Sequence, residues 1–298
     1  MPGRFRTIIV FPGEPPCFTE FERAYQKTVQ GLPDVSLDRL NCWSPNRPEW
    51  QDPACAIVFW CRLPDTIPRK RTARCILYHL ESSGMPSDLS HGQKALLEGF
   101  LERSRQPDLF LVTTPAAESF WAPRVRRVAI APIGFDAETM GMPDWSQEKT
   151  HDVGYCGTLV GRREWILPIL SKHLGARLRI ITECCLEMRR IFNSCRIMLH
   201  VAHSEEPGFP TLRIWQAIST SAALVTERRD AWPAVSGRHI LQIPPARKED
   251  PGDFLSGIEE ALRMPLLGIA RLAHEELSLY TVERSIKEFM IPAIEPLF

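Results

Sequence analysis

The sequence has no net charge and no long apolar run. Its 36 lysine and arginine residues balance 36 aspartate and glutamate residues over 298 positions. A balanced chain lacks the overall positive field with which dedicated nucleic-acid or membrane-surface proteins attract their partners. No stretch approaches the roughly 18 consecutive apolar residues of a membrane span, so we expect no transmembrane segment. The first residues also lack the apolar segment of a secretion signal, which predicts a cytoplasmic protein.

Paired cysteine motifs and a phosphate-binding P-loop are missing as well. The nine cysteines are odd in number, and no two of them form a Cys-x-x-Cys pattern. Several lie inside apolar runs, where cysteine behaves as a small buried hydrophobe. We therefore expect neither a disulfide framework nor a tightly bound metal. The absence of a Gly-Lys-Ser/Thr motif argues against an ATPase or a kinase.

What the sequence does contain is a series of ten short apolar runs that alternate with stretches of helical periodicity. The runs are Thr7–Phe11, Ala54–Cys61, Cys75–Leu80, Leu109–Thr113 and Val125–Ala131 in the first half, then Asp152–Cys156, Arg177–Ile181, Arg196–Val201, Ala223–Thr226 and His239–Ile243. Near-continuous apolar strands between helices are typical of parallel sheets that are covered on both faces. Ten strands are more than a single sheet usually holds, and each half of the sequence contains five of them. The pattern predicts an α/β protein with two Rossmann-like domains facing across a central cleft.

The two sets of strands are divided by a polar segment, Asp136–Lys149, which has no clear apolar periodicity. We interpret this segment as an interdomain linker. The predicted domains are residues 1–138 and 139–280, followed by a terminal helix in 281–298. In open α/β sheets, ligands bind at the carboxyl ends of the strands, and the cleft between two such domains is the expected binding site.

The most informative stretch for function is residues 196–227, which reads as strand, loop, helix and strand. Its loop leads into a helix amino terminus, where free N–H groups and the helix dipole favour an anion such as a diphosphate. Arg213 lies in the first turn of this predicted helix and can add a bidentate clamp.

Three segments of the second half carry a resemblance to a known family. Pro-Gly-Phe-Pro-Thr-Leu-Arg-Ile-Trp-Gln-Ala at 207–217, with Ala-Leu-Val-Thr at 223–226, resembles the donor-binding helix of GT-B glycosyltransferases. It looks most like the group 1 or spore-maturation-type branch. Asp-Val-Gly-Tyr-Cys-Gly at 152–157 resembles the first strand and glycine turn of the family's C-terminal domain, and Ala-Pro-Ile-Gly-Phe-Asp at 131–136 resembles the end of its N-terminal domain. The resemblance covers residues 125–245 well and residues 1–124 only loosely.

This resemblance implies an enzyme that moves a sugar from a nucleotide-diphosphate-sugar donor to an acceptor. The donor would bind the C-terminal domain, the acceptor the N-terminal domain, and the terminal helix would pack back on the N-terminal domain. The positions that match the donor site are Gly157, Thr158, Arg162, Gly208, Phe209, Thr211, Arg213 and Gln216. Arg163 is a further candidate beside Arg162. The chain departs from the family at Gln216, where a glutamate usually holds the donor ribose, and at Ser219–Ser221, which replaces the usual Ala-Cys-Gly turn.

Candidate catalytic groups lie at the end of the third predicted strand. Glu81 comes directly after this apolar strand, where desolvation can tune the pKa of its carboxyl group. His79 alternates onto the same side if the strand is regular. Either side chain can accept a proton from an acceptor hydroxyl, as a general base does in an inverting transfer.

Two other functions remain open from the sequence. Gln216 and the altered turn after it suggest a non-catalytic GT-B module that binds a nucleotide or a partner protein. Basic clusters at 69–74 and 124–127 suggest a nucleic-acid base glycosyltransferase. The sugar, the nucleotide, the acceptor (glycan, small molecule, protein or nucleic acid), the stereochemical course and the oligomeric state are not determined by the sequence.

Overall fold

The chain folds into two compact units. The computed structural model describes residues 5–12, 19–60, 67–68, 70–79, 107–157, 159, 161–183, 185–202, 211–227 and 239–298. The first unit comprises Met1–Gly134 together with Tyr280–Phe298, and the second comprises Phe135–Leu279. Within the described residues, no helix has both the length and the apolar character needed to cross a membrane.

The first unit is built on a parallel sheet of six described strands. These are β1 (Arg6–Phe11), β2 (Val35–Arg39), β3 (Cys55–Trp60), β4 (Arg74–His79), β5 (Leu109–Val112) and β6 (Val128–Ile130). Their order across the sheet is β2-β1-β3-β4-β5-β6, and every neighbouring pair is parallel. All six residues of β3 are buried, as expected for a central strand that is covered on both faces. The helices of this part of the chain are α1 (Thr19–Val29) and α2 (Pro115–Trp121), with short 3-10 turns at Leu40–Cys42 and Pro48–Gln51.

The second unit has its own parallel sheet of five described strands. These are β7 (His151–Cys156), β8 (Leu178–Ile181), β9 (Cys195–His200), β10 (Ala223–Glu227) and β11 (Ile240–Ile243), in the order β11-β10-β9-β7-β8. The helices are α3 (Ala137–Met140), α4 (Arg163–Leu174), α5 (Cys185–Asn193), α6 (Thr211–Ile218), α7 (Gly252–Leu262) and α8 (Leu266–Leu277), with a 3-10 turn at Gly175–Arg177. The two separate parallel sheets confirm the predicted α/β class with two Rossmann-like domains.

The last residues of the chain return to the first unit. They form α9 (Val282–Arg284), a π-helical turn (Ser285–Met290), α10 (Ile291–Ile294) and a 3-10 turn (Glu295–Leu297). Gly134 has a φ of +90°, and a Cβ atom there would lie 2.7 Å from backbone atoms of Thr281 and Val282. The Ser285 hydroxyl donates to the carbonyl of Pro132. A glycine is therefore required where the terminal segment packs against the end of the first unit.

All ten predicted strands form within the described residues, and an eleventh, β2, was not predicted. Two other predictions from the sequence concern a helix and the interdomain linker. Apolar residues at helical spacing in the sequence, among them Leu96, Leu97, Phe100 and Leu101, predict a helix at Gly92–Arg103, and this segment lies outside the described residues. The segment Asp136–Lys149 belongs to the second unit. It carries α3, whose Met140 is buried, and Trp145, which packs against the core of that unit.

Candidate functional site

The carboxyl edge of the second sheet collects most of the predicted binding residues that the structure describes. Strands β7 to β11 are parallel, so their carboxyl ends lie along one edge. The chain leaves β7 through Gly157 and Arg162 before α4 begins. Helix α6, which follows β9 in the chain, carries Arg213 in its first turn and Gln216 one turn later. This is the edge at which open α/β sheets bind ligands.

A buried ion pair holds this edge together. The guanidinium of Arg162 donates to both carboxylate oxygens of Glu227, over 3.1 and 2.7 Å, and to the carbonyl of Ala246 over 2.7 Å. The side chains of Arg162 and Glu227 are only 6% and 1% exposed. A bidentate arginine–carboxylate pair with additional hydrogen bonds is the geometry that compensates for removing both charges from water.

Glu227 also accepts two backbone hydrogen bonds. The N–H groups of Ala202 and Ala246 each donate to its carboxylate over 2.9 Å. The pair thus joins the segment after β7, the residues that follow β9 and β11, and the end of β10 itself. The guanidinium of Arg162 is thus bound by groups of the protein itself, and its direct contact with a donor stays a prediction. We infer that the Arg162–Glu227 pair stabilises the edge of the sheet that carries the other candidate binding residues.

Arg163, the next residue, has different surroundings. Its side chain is half-buried, and its Nε donates to the carbonyl of Val201 over 2.8 Å. A Cβ atom built on Gly157 would lie 3.1 Å from the Arg163 Nη1. Burial lowers the pKa of this guanidinium, and the positive charge of Arg213 acts in the same direction. Since an arginine keeps its proton in proteins even after such a shift, two positive charges lie near the end of β7.

Arg213 and Gln216 contact each other on α6. The Nη1 of Arg213 donates to the Gln216 Oε1 over 2.6 Å and contacts the Met188 sulfur at 3.7 Å. Gln216 is buried, and Arg213 is half-buried. Among the described residues, no carboxylate lies within ion-pair distance of Arg213. The charge of Arg213 is therefore oriented by a neutral amide and is not neutralised by an acid in this part of the structure.

Tyr155 is the penultimate residue of β7, and the charges of both arginines act on its phenol. The side chain is 1% exposed. Its hydroxyl would lie 2.9 Å from a Cβ atom at Gly157, so the glycine leaves room that any other residue would fill. Burial raises the pKa of the phenol, and the charges of Arg163 and Arg213 oppose that shift. Nothing in the sequence distinguishes Tyr155, because a tyrosine inside an apolar strand has the pattern of an ordinary core residue.

The remaining predicted binding residues are only partly described. Thr158, Gly208 and Phe209 lie outside the described residues. Thr211 is the first residue of α6. The predicted roles of these four residues stay predictions.

In the first unit, His79 ends β4 at the carboxyl edge of its sheet. The side chain is 5% exposed, and its ring meets that of Trp121 edge to face, with centroids 5.5 Å apart. Its Nε2 atom has no hydrogen-bond partner among the residues that the structure describes. Burial lowers the pKa of His79 to about 4, so the imidazole is neutral at physiological pH. A neutral imidazole can accept a proton, but burial also makes it a weaker base. Glu81 lies outside the described residues, and its role as the base stays a prediction.

The pKa of His79 predicts an acid-sensitive fold. In the unfolded chain this histidine regains its ordinary pKa near 6.5. As the pH falls from about 6.5 towards 4, the unfolded state takes up a proton that the folded state does not, so stability decreases. We expect His79 to account for a loss of about 2 kcal/mol in unfolding free energy between about pH 7.5 and about pH 5.

Urea denaturation at several pH values, followed by tryptophan fluorescence, measures this loss. His79→Phe keeps an aromatic ring against Trp121 and should flatten the dependence over this range. An unchanged slope in His79→Phe would show that other groups cause the acid sensitivity.

The functional residues that sequence reasoning missed are Tyr155 and Glu227. Glu227 had a usable signal, since it is an acidic residue at the end of the buried run Ala-Leu-Val-Thr. A carboxylate in that position requires a partner, because an isolated buried charge is very costly. Nothing in the sequence alone identifies Arg162, 65 positions earlier, as that partner.

The fold is similar to those of solved glycosyltransferases. Sucrose-phosphate synthase from Thermosynechococcus elongatus aligns over 98% of this chain and 99% of its own, with a TM-score of 0.62 and 12% identity. HepE from Anabaena, solved with UDP and glucose, aligns over 95% of this chain and 98% of its own, with a TM-score of 0.56 and 11% identity.

The pneumococcal O-GlcNAc transferase GtfA, solved with UDP and GlcNAc, aligns over 83% of this chain with a TM-score of 0.58 and 11% identity. The match spans only 58% of the length of GtfA. No protein-family model and no curated protein sequence matches the chain. At identities this low the similarity concerns architecture, and it agrees with the two parallel sheets described above. The chain therefore has the two-domain GT-B fold of these glycosyltransferases.

Proposed function

We propose that this protein is a glycosyltransferase that uses a nucleotide-diphosphate sugar as its donor. The observation that carries the proposal is the position of Arg163 beside Gly157 after β7, together with Arg213 on α6, whose charge acts on Arg163. Two positive charges that influence each other, one of them beside a residue that lacks a side chain, suit a diphosphate, which needs both charge and close approach. The UDP bound in the HepE and GtfA structures supports this choice of ligand.

Such a site has a direct catalytic use. When the bond between the sugar and the diphosphate breaks, negative charge accumulates on the departing diphosphate. Arginines and helix N–H groups that are already in place stabilise this charge without having to reorganise. We propose that Arg213 and Arg163 do so, that Gly157, Thr158, Gly208, Phe209, Thr211 and Gln216 surround the donor, and that the Arg162–Glu227 pair keeps the edge rigid. The proposal requires no tightly bound metal.

Replacing Arg213 tests the donor site directly. A hydrogen bond to a charged group is worth about 1.5–3 kcal/mol, so Arg213→Ala should weaken UDP binding about 10- to 100-fold. Isothermal titration calorimetry with UDP measures the change. Arg190→Ala is a matched control, because the Arg190 side chain on α5 is 77% exposed and pairs with Glu187. Equal affinities in the Arg213 and Arg190 variants would remove Arg213 from the site.

The proposal is separated from a non-catalytic module by two measurements. A melting-temperature screen against nucleoside diphosphates identifies the nucleotide, since a ligand at about 100 times its Kd stabilises the folded state by about 2.7 kcal/mol. Release of free sugar from the matching nucleotide sugar then reports turnover. Stabilisation without any release or transfer of sugar supports the module. If no nucleoside diphosphate stabilises the protein and no nucleotide sugar releases its sugar, both the glycosyltransferase and the non-catalytic module are contradicted.

The contacts that the basic clusters make within the protein argue against the nucleic-acid alternative. Arg71 pairs with Asp108, and Arg74 lies 5.7 Å from the centre of the Phe298 ring. Arg124 lies over the Phe120 ring, and Arg127 donates to the carbonyl of Pro296. These arginines are thus engaged within the first unit. A dedicated nucleic-acid site would instead show tight binding to duplex DNA with a steep salt dependence.

A cytoplasmic location and an unidentified acceptor complete the proposal. The described cysteines whose state is resolved are free thiols: Cys42, Cys55, Cys75, Cys156 and Cys195. Free thiols suit a reducing compartment. For the acceptor we propose the carboxyl edge of the first sheet, where β4 ends and Glu81 follows two residues after His79.

A further inference from the structure

The hydroxyl of Tyr155 is a buried polar group with no partner in the part of the chain that the structure describes. The side chain is 1% exposed, and its oxygen makes no hydrogen bond there. Folded proteins pair the great majority of their buried polar atoms, so an unpaired one calls for a physical reason. Phenylalanine would fill the same place in β7 without this cost, which indicates that the hydroxyl has a use.

The position of this hydroxyl suggests what the use is. A single point, the place of a Cβ atom on Gly157, lies 2.9 Å from the Tyr155 oxygen and 3.1 Å from the Arg163 Nη1. The charge of Arg213 also acts on the phenol. The hydroxyl therefore lies beside the glycine, in the same group of residues to which we assign the diphosphate.

The protonation state of the Tyr155 phenol suits a hydrogen-bond donor. Burial raises the pKa of Tyr155 despite the two nearby positive charges. At neutral pH the phenol thus keeps its proton, and its O–H can donate to an anion. The carboxylate of Glu227 is not such an acceptor for Tyr155, because Arg162 and two backbone N–H groups already bind it.

We propose that the Tyr155 hydroxyl is a ligand-binding group that donates a hydrogen bond to the phosphate group held by Arg163 and Arg213. This inference rests on the proposed function, since it assigns a third donor to the same diphosphate. Without ligand the hydroxyl is unpaired, and with ligand it gains a charged acceptor. Tyr155 then contributes to affinity for the diphosphate and nothing to the stability of the unliganded fold.

The test compares two tyrosine-to-phenylalanine variants with inorganic pyrophosphate and UDP as probes. Tyr155→Phe should weaken the binding of both about tenfold or more, while the melting temperature without ligand stays unchanged or rises. Tyr78→Phe is the matched control. Its hydroxyl is also buried, but it donates to the carbonyl of Ala131 over 2.9 Å in the first unit. This control should lower the melting temperature and leave the affinity for pyrophosphate unchanged.

The outcomes separate the inference from the proposed function. If wild type binds neither pyrophosphate nor any nucleoside diphosphate, both are overturned. If wild type binds and Tyr155→Phe binds equally well, the inference alone is overturned. If Tyr155→Phe fails to fold, the hydroxyl has a structural partner and the inference is also overturned. Gly157→Ala gives an independent measurement, since its Cβ would crowd the same hydroxyl and Arg163, and it should weaken pyrophosphate binding as well.

Discussion

Replacing Glu227 by glutamine is expected to lower the free energy of unfolding by about 3–5 kcal/mol. The substitution keeps the size of the side chain but leaves the buried guanidinium of Arg162 without its counter-charge. A buried charge without a partner costs far more than the pair contributes when it is intact. The amide also replaces one of the two carboxylate oxygens that accept from the N–H groups of Ala202 and Ala246.

Chemical denaturation of the whole chain, followed by circular dichroism and tryptophan fluorescence, measures this effect. Glu187→Gln is the matched control. Glu187 also pairs with an arginine, Arg190, but their side chains are 49% and 77% exposed, and this change should cost less than about 1 kcal/mol. Equal losses in the two variants would mean that the buried pair does not hold the strand ends together. Since the proposed donor site depends on that edge, Glu227→Gln should also weaken UDP binding.

Replacing Glu81 by glutamine is expected to reduce turnover about 10²- to 10⁴-fold while UDP binding stays unchanged. The glutamine keeps the size and most of the hydrogen bonding but cannot take a proton from the acceptor hydroxyl. The effect follows if Glu81 is the general base, as its position two residues after the end of β4 suggests. Glu288→Gln is the control, since Glu288 in the terminal π-helical turn is 55% exposed and pairs with Arg284.

His79→Phe completes this experiment. If turnover falls in His79→Phe and survives in Glu81→Gln, the imidazole is the base. If UDP affinity falls in Glu81→Gln while the bound complex still turns over normally, Glu81 has a structural role. Full turnover in both variants would point to a transfer that retains the configuration of the sugar and needs no base of this kind.

The architecture was largely readable from the sequence, because burial on both faces imposes a simple pattern. Strand β3 reads Cys-Ala-Ile-Val-Phe-Trp and is fully buried, as its uninterrupted apolar run predicts. Strand β2 was missed for the complementary reason. It reads Val-Ser-Leu-Asp-Arg with no fully buried residue, and among the described strands it pairs only with β1, at the edge of the sheet. An exposed edge strand needs little apolar surface, so its sequence resembles a loop.

The polar segment 136–149 shows a second limit of pattern reading. Its lack of periodicity suggested a linker, yet Lys149 within it donates to the carbonyl oxygens of Asn193 and Ser221. Such contacts join residues far apart in the chain, so no local pattern announces them. The segment is ordered by hydrogen bonds of the second unit and not by an apolar face of its own.

The sequence by itself determined the two sets of strands, the edge at which a ligand is expected and a pair of adjacent arginines at that edge. It did not determine how those arginines differ. Arg162 is bound by Glu227, whereas Arg163 lies with Arg213 and the unpaired hydroxyl of Tyr155. Strand and helix patterns arise from burial repeated along neighbouring residues, so the sequence carries them. The partner of a charge is set by strands that meet only after folding, and this assignment was therefore decided by the tertiary structure.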